Sequence, residues 1–245
     1  MNIADRIGVS TISMTGVDVT EAIRMIAERG FKTIEIWAAD FQGVAGYPLQ
    51  PAAGIWPRTC PPEKRSEIRE MLAPFETVII HVQLYGTDIC AINPGIREES
   101  RRQYRECLEL GEDLGASHVT YHAGSRGNVL GSDGPERARR AREHNLTMAR
   151  ELIDRSEDSG ILMGYENGPI RGTLNLVDAV ERERFGLLLD IPHAAMAADF
   201  HGTDGIIDDM DLCRGKLVEV HAHGLWADVC VLRDHQDMHK NTCLD

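Results

Sequence analysis

The 245 residues carry 39 acidic against 26 basic side chains, a formal net charge of −13, with 42% hydrophobic and 27% charged residues. That length and balance suit a soluble globular chain of one large domain with a real core, or two small ones, and the charge disfavours nucleic acid as a partner, because phosphate binding rests on Lys and Arg. No apolar run approaches membrane-spanning length, and Met1-Asn2-Ile3-Ala4-Asp5 lacks signal-peptide character, so a cytoplasmic protein is expected.

In chain order, Arg6 to Thr11 reads as a short strand. Asp18 caps a helix with Ala22, Ile23 and Ile26 on its apolar face, stopped at Gly30. Thr33 to Trp37 is a second strand, followed by a Gly/Pro-rich segment from Ala38 to about Cys60 that contains Tyr47 and Trp56. Pro61 and Pro62 open a helix carrying Ile68, Met71 and Leu72. Thr77 to Gln83 is strand three, and a helix follows around residues 97–114, ended by Gly115. Ser117 to His122 is strand four; after a Gly/Ser loop, Pro135 opens a long helix ended by Gly160. Ile161 to Glu166 is strand five, and Thr173 caps a helix bearing Leu176, Val177 and Val180. Phe185 to Asp190 is strand six, then a helix marked by Ile206, Ile207, Met210 and Cys213, then strand seven from Leu217 to His221. The tail from Ala222 shows no period.

Strands alternating with helices at this spacing imply parallel pairing through crossover helices. Seven such units without a break in composition predict an α/β fold of the (β/α) TIM-barrel type over residues 1–245 as a single domain, with a doubly wound open sheet as the alternative. No G-x-G-x-x-G follows the first strand, which counts against a dinucleotide fold. The six cysteines form no C-x-x-C pair and read as free thiols.

Side chains alternate across a strand. One face carries Ile34, Ile36, Ile80, Val82, Val119, Tyr121, Met163, Tyr165, Leu187, Leu189, Val218 and Val220; the other ends in Glu35, His81, His122, Glu166, Asp190 and His221. Barrel active sites form at the C-terminal strand ends, and a ring of buried ionisable groups is costly unless a cation or mutual hydrogen bonds compensate. Glu166, followed by Asn167-Gly168-Pro169, and Asp190, followed by Ile191-Pro192-His193, are the organising stretches of this reading: in each an apolar run ends in a polar residue and then a Gly or Pro turn. Mixed His and carboxylate ligands suit zinc, manganese, cobalt or iron better than calcium. His118 and Glu219 lie one layer deeper on the inner face, where partners of the ligands sit. His144, His201 and the Arg137, Arg139, Arg140, Arg142 set read as surface.

The runs His81-Val82-Gln83-Leu84-Tyr85, Ala91-Ile92-Asn93-Pro94, Arg97-Glu98-Glu99-Ser100 and Leu114 to Gly124, with Glu166-Asn167, Asp190-x-x-His193 and His221-x-His223, resemble the xylose isomerase-like TIM barrel superfamily over residues 6–235. That superfamily holds sugar and sugar-phosphate isomerases and epimerases, inosose dehydratases and the AP endonuclease called endonuclease IV.

The resemblance implies a divalent ion (manganese, zinc, cobalt or magnesium) on Glu166, Asp190, His221 and His122. Glu166 and His193 would be catalytic, and His81, Glu35, Trp37, Trp56 and His223 would meet a sugar or polyol substrate; Trp37, Tyr47 and Trp56 could wall the ring. Asp234 and His235 resemble the Asp/His segment after strand seven and are additional ligand candidates.

The expected activity is a metal-dependent isomerase or epimerase working through an enediolate. Alternatives are a dehydratase on the same site, an endonuclease IV-like enzyme, and a non-catalytic binding barrel. One departure stands out: the family's eighth strand bears a second Glu, and none follows Ala227 to Leu232 here. A truncated chain, an open barrel, or closure by another subunit of a homo-oligomer would each account for it.

Overall fold

The structure, a computed structural model, describes residues 6–39, 53–83, 86–124, 134–197 and 210–223. It divides into two compact units, Met1–Met163 and Gly164–Asp245.

In the first unit, β1 (Gly8–Ser10), β2 (Thr33–Ala38), β3 (Thr77–Val82) and β4 (His118–His122) pair in sequence order, every pair parallel. Between them run α1 (Val19–Glu28), α2 (Pro62–Met71) and α3 (Pro94–Leu114), with α4 (Gly134–Arg155) after β4. Each boundary has a local cause. Asp18 caps α1 by accepting from the Glu21 amide at 2.9 Å. Gly115 ends α3 in the left-handed region, at φ 71°. The helix α3 begins ahead of the expected residue 97, because Asn93 caps it through the Gly95 amide and Pro94 takes the first turn, where it loses no hydrogen bond.

The expected alternation holds in this unit. Ile34, Ile36, Ile80, Val82, Val119 and Tyr121 are all buried under the helices' apolar stripe, which includes Ile23, Ile26, Ile68, Leu108, Leu110, Met148 and Leu152. A Cβ on Gly111 of α3 would come within 2.9 Å of Val119 Cγ2, so glycine lets that helix approach β4 closely. The chain returns beside β2 at Gly54, whose neighbour Ile55 donates to Trp37 O at 2.8 Å. A Cβ there would sit 2.1 Å from Ala39 O, a backbone atom that cannot swing aside.

Across α3 and α4, Arg105 meets Glu151 with both ends of its guanidinium, Nη2 donating to Oε2 at 3.2 Å. That contact holds the Glu151 carboxyl below its ordinary value of 4.5. A depressed carboxylate stabilises the fold above its unfolded-state pKa, and the contribution is lost as pH falls through the lower folded value. Glu151→Gln should therefore cost at most ~1 kcal/mol near neutrality, since the pair is partly solvated, and the deficit should vanish in strong acid; thermal melts from pH 7 down to 3 read it.

The second unit holds α5 (Ile170–Val180), β6 (Phe185–Asp190), α6 (Ile191–Ala197) and β7 (Leu217–His221), entered through the end of β5 (Leu162–Glu166). Its apolar cluster is Ile170, Leu174, Leu187, Leu189, Ala194 and Cys213, with Ile191 against it. Two local expectations are corrected. Thr173 does not cap α5: Pro169 holds that position, and Thr173, inside the helix, donates its hydroxyl to Pro169 O at 3.1 Å. And no turn follows Asp190, since α6 starts at once, with Pro192 in its first turn where a missing N–H costs nothing.

The pairing of β6 with β7 is parallel but irregular. Leu187 faces Leu217, whereas Leu188 faces Glu219, Leu189 faces Val220 and Asp190 faces His221. Val218 is thus one extra residue on β7. Such an extra residue is a β-bulge, which interrupts the regular ladder. Its consequence is functional, because an unbroken register from Leu187 would set Val220, not His221, opposite Asp190.

Tyr47, His201, Asp234 and His235, with residues 224–245 that would bear an eighth strand, lie outside the described residues. No helix among the described residues is long and apolar enough to cross a membrane.

Candidate metal centre

The second unit brings together Glu166 at the end of β5, Asp190 at the end of β6, and His221 at the end of β7. Each offers one ligand atom, and the three atoms lie within 4.8 Å of one another. Both carboxylates are 2% exposed. His193 and His223 complete the group. His193 Nδ1 is 2.8 Å from Glu166 Oε1 and 3.8 Å from Asp190 Oδ1. His223 Nε2 is 3.1 Å from Asp190 Oδ2, and His221 Nδ1 is 3.7 Å from the same oxygen. The other ring nitrogen of His221 lies 3.5 Å from Glu219 Oε1, the outer carboxylate that a ligating imidazole ordinarily has.

Local backbone chemistry builds the arrangement. Because α6 starts immediately after Asp190, the His193 N–H in its first turn donates to Asp190 Oδ1 at 2.6 Å. Burial pushes the Asp190 carboxyl up, but the His221 and His223 imidazoles, with His193 beside them, outweigh it and hold the group well below the carboxylate range. Burial pushes His193 down, yet the Glu166 hydrogen bond and the two acidic charges more than offset it, leaving the imidazole above its ordinary value.

Two buried carboxylates and an imidazole in mutual reach fit a divalent transition-metal ion. Bringing both acids out of water is costly without a cation between them, and mixed oxygen and nitrogen donors are what zinc, manganese or cobalt accept.

Asn167, which the sequence reading noted only as Glu166's neighbour, is 2% exposed and bonded to β6 through its side chain. Its Oδ1 accepts from the Asp190 amide at 2.6 Å and its Nδ2 donates to Asp190 O at 3.1 Å.

The first unit gathers the other candidates. Trp37 and His81 face each other across β2 and β3, their rings stacked with centroids 4.3 Å apart and planes within 6°. His81 is fully buried, donates from Nδ1 to Val82 O at 2.9 Å, and has its ring centroid 5.2 Å from that of His122. Trp37 is 6% exposed, with one face on His81. Glu35 is buried on β2, and Trp56 is half-buried ahead of a short 3-10 turn, Pro57–Thr59. His118 bonds its own neighbour, Ser117 Oγ, at 2.8 Å. His144, expected at the surface, is half-buried and accepts from Arg101 Nη2 at 3.2 Å.

Parallel β/α units with a carboxylate–imidazole cluster at their strand ends are the arrangement of a (β/α) barrel with a candidate metal centre. Residues 23–235 match the xylose isomerase-like TIM barrel family, and the chain belongs to that family. The (β/α) barrel class expected from the sequence is thereby borne out. An uncharacterized protein of Methanocaldococcus jannaschii is 21% identical over 228 residues, covering 89% of this chain and 70% of its own. Among solved structures, a D-tagatose 3-epimerase-like protein superposes with a TM-score of 0.65 at 20% identity, over 88% of this chain and 75% of that one. An IolI protein with a bound zinc atom gives 0.65 at 13% identity, over 89% and 73%.

Proposed function

We propose that this chain is a metal-dependent isomerase or epimerase of a hydroxy-ketone sugar or polyol, built as a single-domain barrel. The observation that carries the reading is the Glu166–His193 pair at 2.8 Å, set beside Asp190 and His221 in one buried cluster. Similarity to sugar-epimerase structures and to a zinc-bound relative supports it.

Glu166, Asp190 and His221 are the ion's ligands in this proposal, and a bound divalent ion would polarise a substrate carbonyl. Glu166 is the base for the C–H next to that carbonyl, the electron pair moving onto the carbonyl oxygen. His193 holds Glu166 in place through their 2.8 Å contact and is the group that returns a proton. His223, on Asp190, is a second group able to return one. Return to the same carbon on the opposite face is epimerisation; return to the neighbouring carbon is isomerisation. His81, His122, Glu35, Trp37 and Trp56 keep their proposed roles toward substrate or metal, as do Asp234 and His235 as additional ligands. A cytoplasmic setting belongs to the same proposal, supported by the free thiols of Cys60, Cys90, Cys107 and Cys213.

The test is solvent exchange. Manganese(II)-loaded protein incubated with D-fructose, D-tagatose and D-psicose in D2O should place deuterium at the carbon beside the carbonyl and yield an isomeric sugar. Chelation or Glu166→Gln should stop both. No exchange into any ketose or ketose phosphate by the metal-loaded protein would defeat the reading.

A further inference from the structure

After Glu166 the backbone must leave the sheet, because Gly168 and Pro169 turn it into α5. Asn167 makes a main-chain contact with β6, its N–H donating to Leu188 O at 3.3 Å. At the next rung Asp190 has an N–H and a C=O to satisfy in a site where it is 2% exposed. The Asn167 side chain meets both. Its Oδ1 accepts from Asp190 N at 2.6 Å, its Nδ2 donates to Asp190 O at 3.1 Å, and the same Nδ2 donates to Gly168 O at 2.9 Å. A primary amide presents the same donor and acceptor pair as a peptide group. Asn167 thus adds a side-chain rung to the ladder at the end of β5.

The position of that rung gives it a role toward the ion. Asn167 is bonded to Glu166 in sequence and to Asp190 through both hydrogen bonds, so it ties the two carboxylate-bearing Cα atoms together. We propose that Asn167 is a positioning residue for the metal centre: it sets the separation of Glu166 and Asp190 without touching ion or substrate. The inference rests on the metal reading of the preceding section. Partners that orient a metal's ligands typically contribute 10–100-fold to affinity.

Two variants and two readouts test it. Asn167→Ala removes both hydrogen bonds. Asn167→Asp keeps the acceptor for Asp190 N and serves if the alanine protein fails to fold. The added charge of Asp would by itself tighten cation binding, so weaker binding reports lost geometry. Manganese(II) affinity, read from the electron paramagnetic resonance signal of the free ion, should fall 10–100-fold in either variant. Hydrogen exchange at the Asp190 amide, which needs no metal, should speed up in Asn167→Ala. A folded variant with manganese affinity within threefold of wild type overturns the proposal even if its melting temperature drops, because that is the signature of a purely structural residue. Wild-type protein that binds no manganese, zinc or cobalt sinks the metal reading and this inference together; wild-type binding with unaffected variants sinks this inference alone.

Discussion

Asp190→Asn should leave a folded protein that has lost its divalent ion. The substitution keeps the side chain's shape and an oxygen to accept from the His193 amide, but it removes the charge that His221, His223 and His193 surround. Losing a supporting partner costs up to ~100-fold in metal affinity; a removed ligand charge should exceed that. Calorimetric titration with manganese(II) should show binding weakened by more than ~100-fold, and ketose turnover should fall in parallel. Wild-type affinity in this variant would mean the ion is held elsewhere.

Gly186→Ala should damage the same centre although residue 186 bears no ligand. A Cβ at Gly186 would lie 2.5 Å from Val218 Cγ1 and 2.6 Å from Lys216 O. The valine could rotate, but the backbone oxygen could not, so β7 would have to move. Overpacking of this kind costs ~1–3 kcal/mol, a drop of about 2–12 °C in melting temperature for a chain of this size. The functional part of the expectation is sharper. Glycine at 186 makes room for the Val218 bulge, and the bulge puts His221 opposite Asp190. Manganese affinity should therefore fall along with stability. A Gly186→Ala protein with unchanged metal binding would show that the register tolerates the added methyl, and the bulge argument would be wrong.

How much of this could be read beforehand depends on the length scale of the signal. Period-two alternation and helix stops located all seven strands and the main helices, because burial of one face and the conformational needs of Gly30, Gly115 and Gly160 are written locally. The ends of β5, β6 and β7 exposed Glu166, Asp190 and His221 as candidates for the same reason: a polar residue closing an apolar run is conspicuous. Three features were not legible. The α6 helix was hidden because Pro192 reads equally as a turn or as a helix's first residue, and only the amide that His193 aims at Asp190 decides it. The bulge at Val218 leaves no trace in a Val-Glu-Val-His run; the one available hint was Gly186, a glycine inside a buried strand. Asn167 was overlooked as an agent because its partners are backbone groups 23 residues away, and such a bond has no sequence period.

The central claim is that Glu166, Asp190 and His221 share one cation. Crystals grown with manganese or zinc and measured at the metal's absorption edge test it most directly. The account predicts an anomalous peak bonded to all three side chains, with zinc distances of about 2.0–2.2 Å. A peak bound to other residues, or crystals holding no metal while those three side chains turn away from one another, would contradict it.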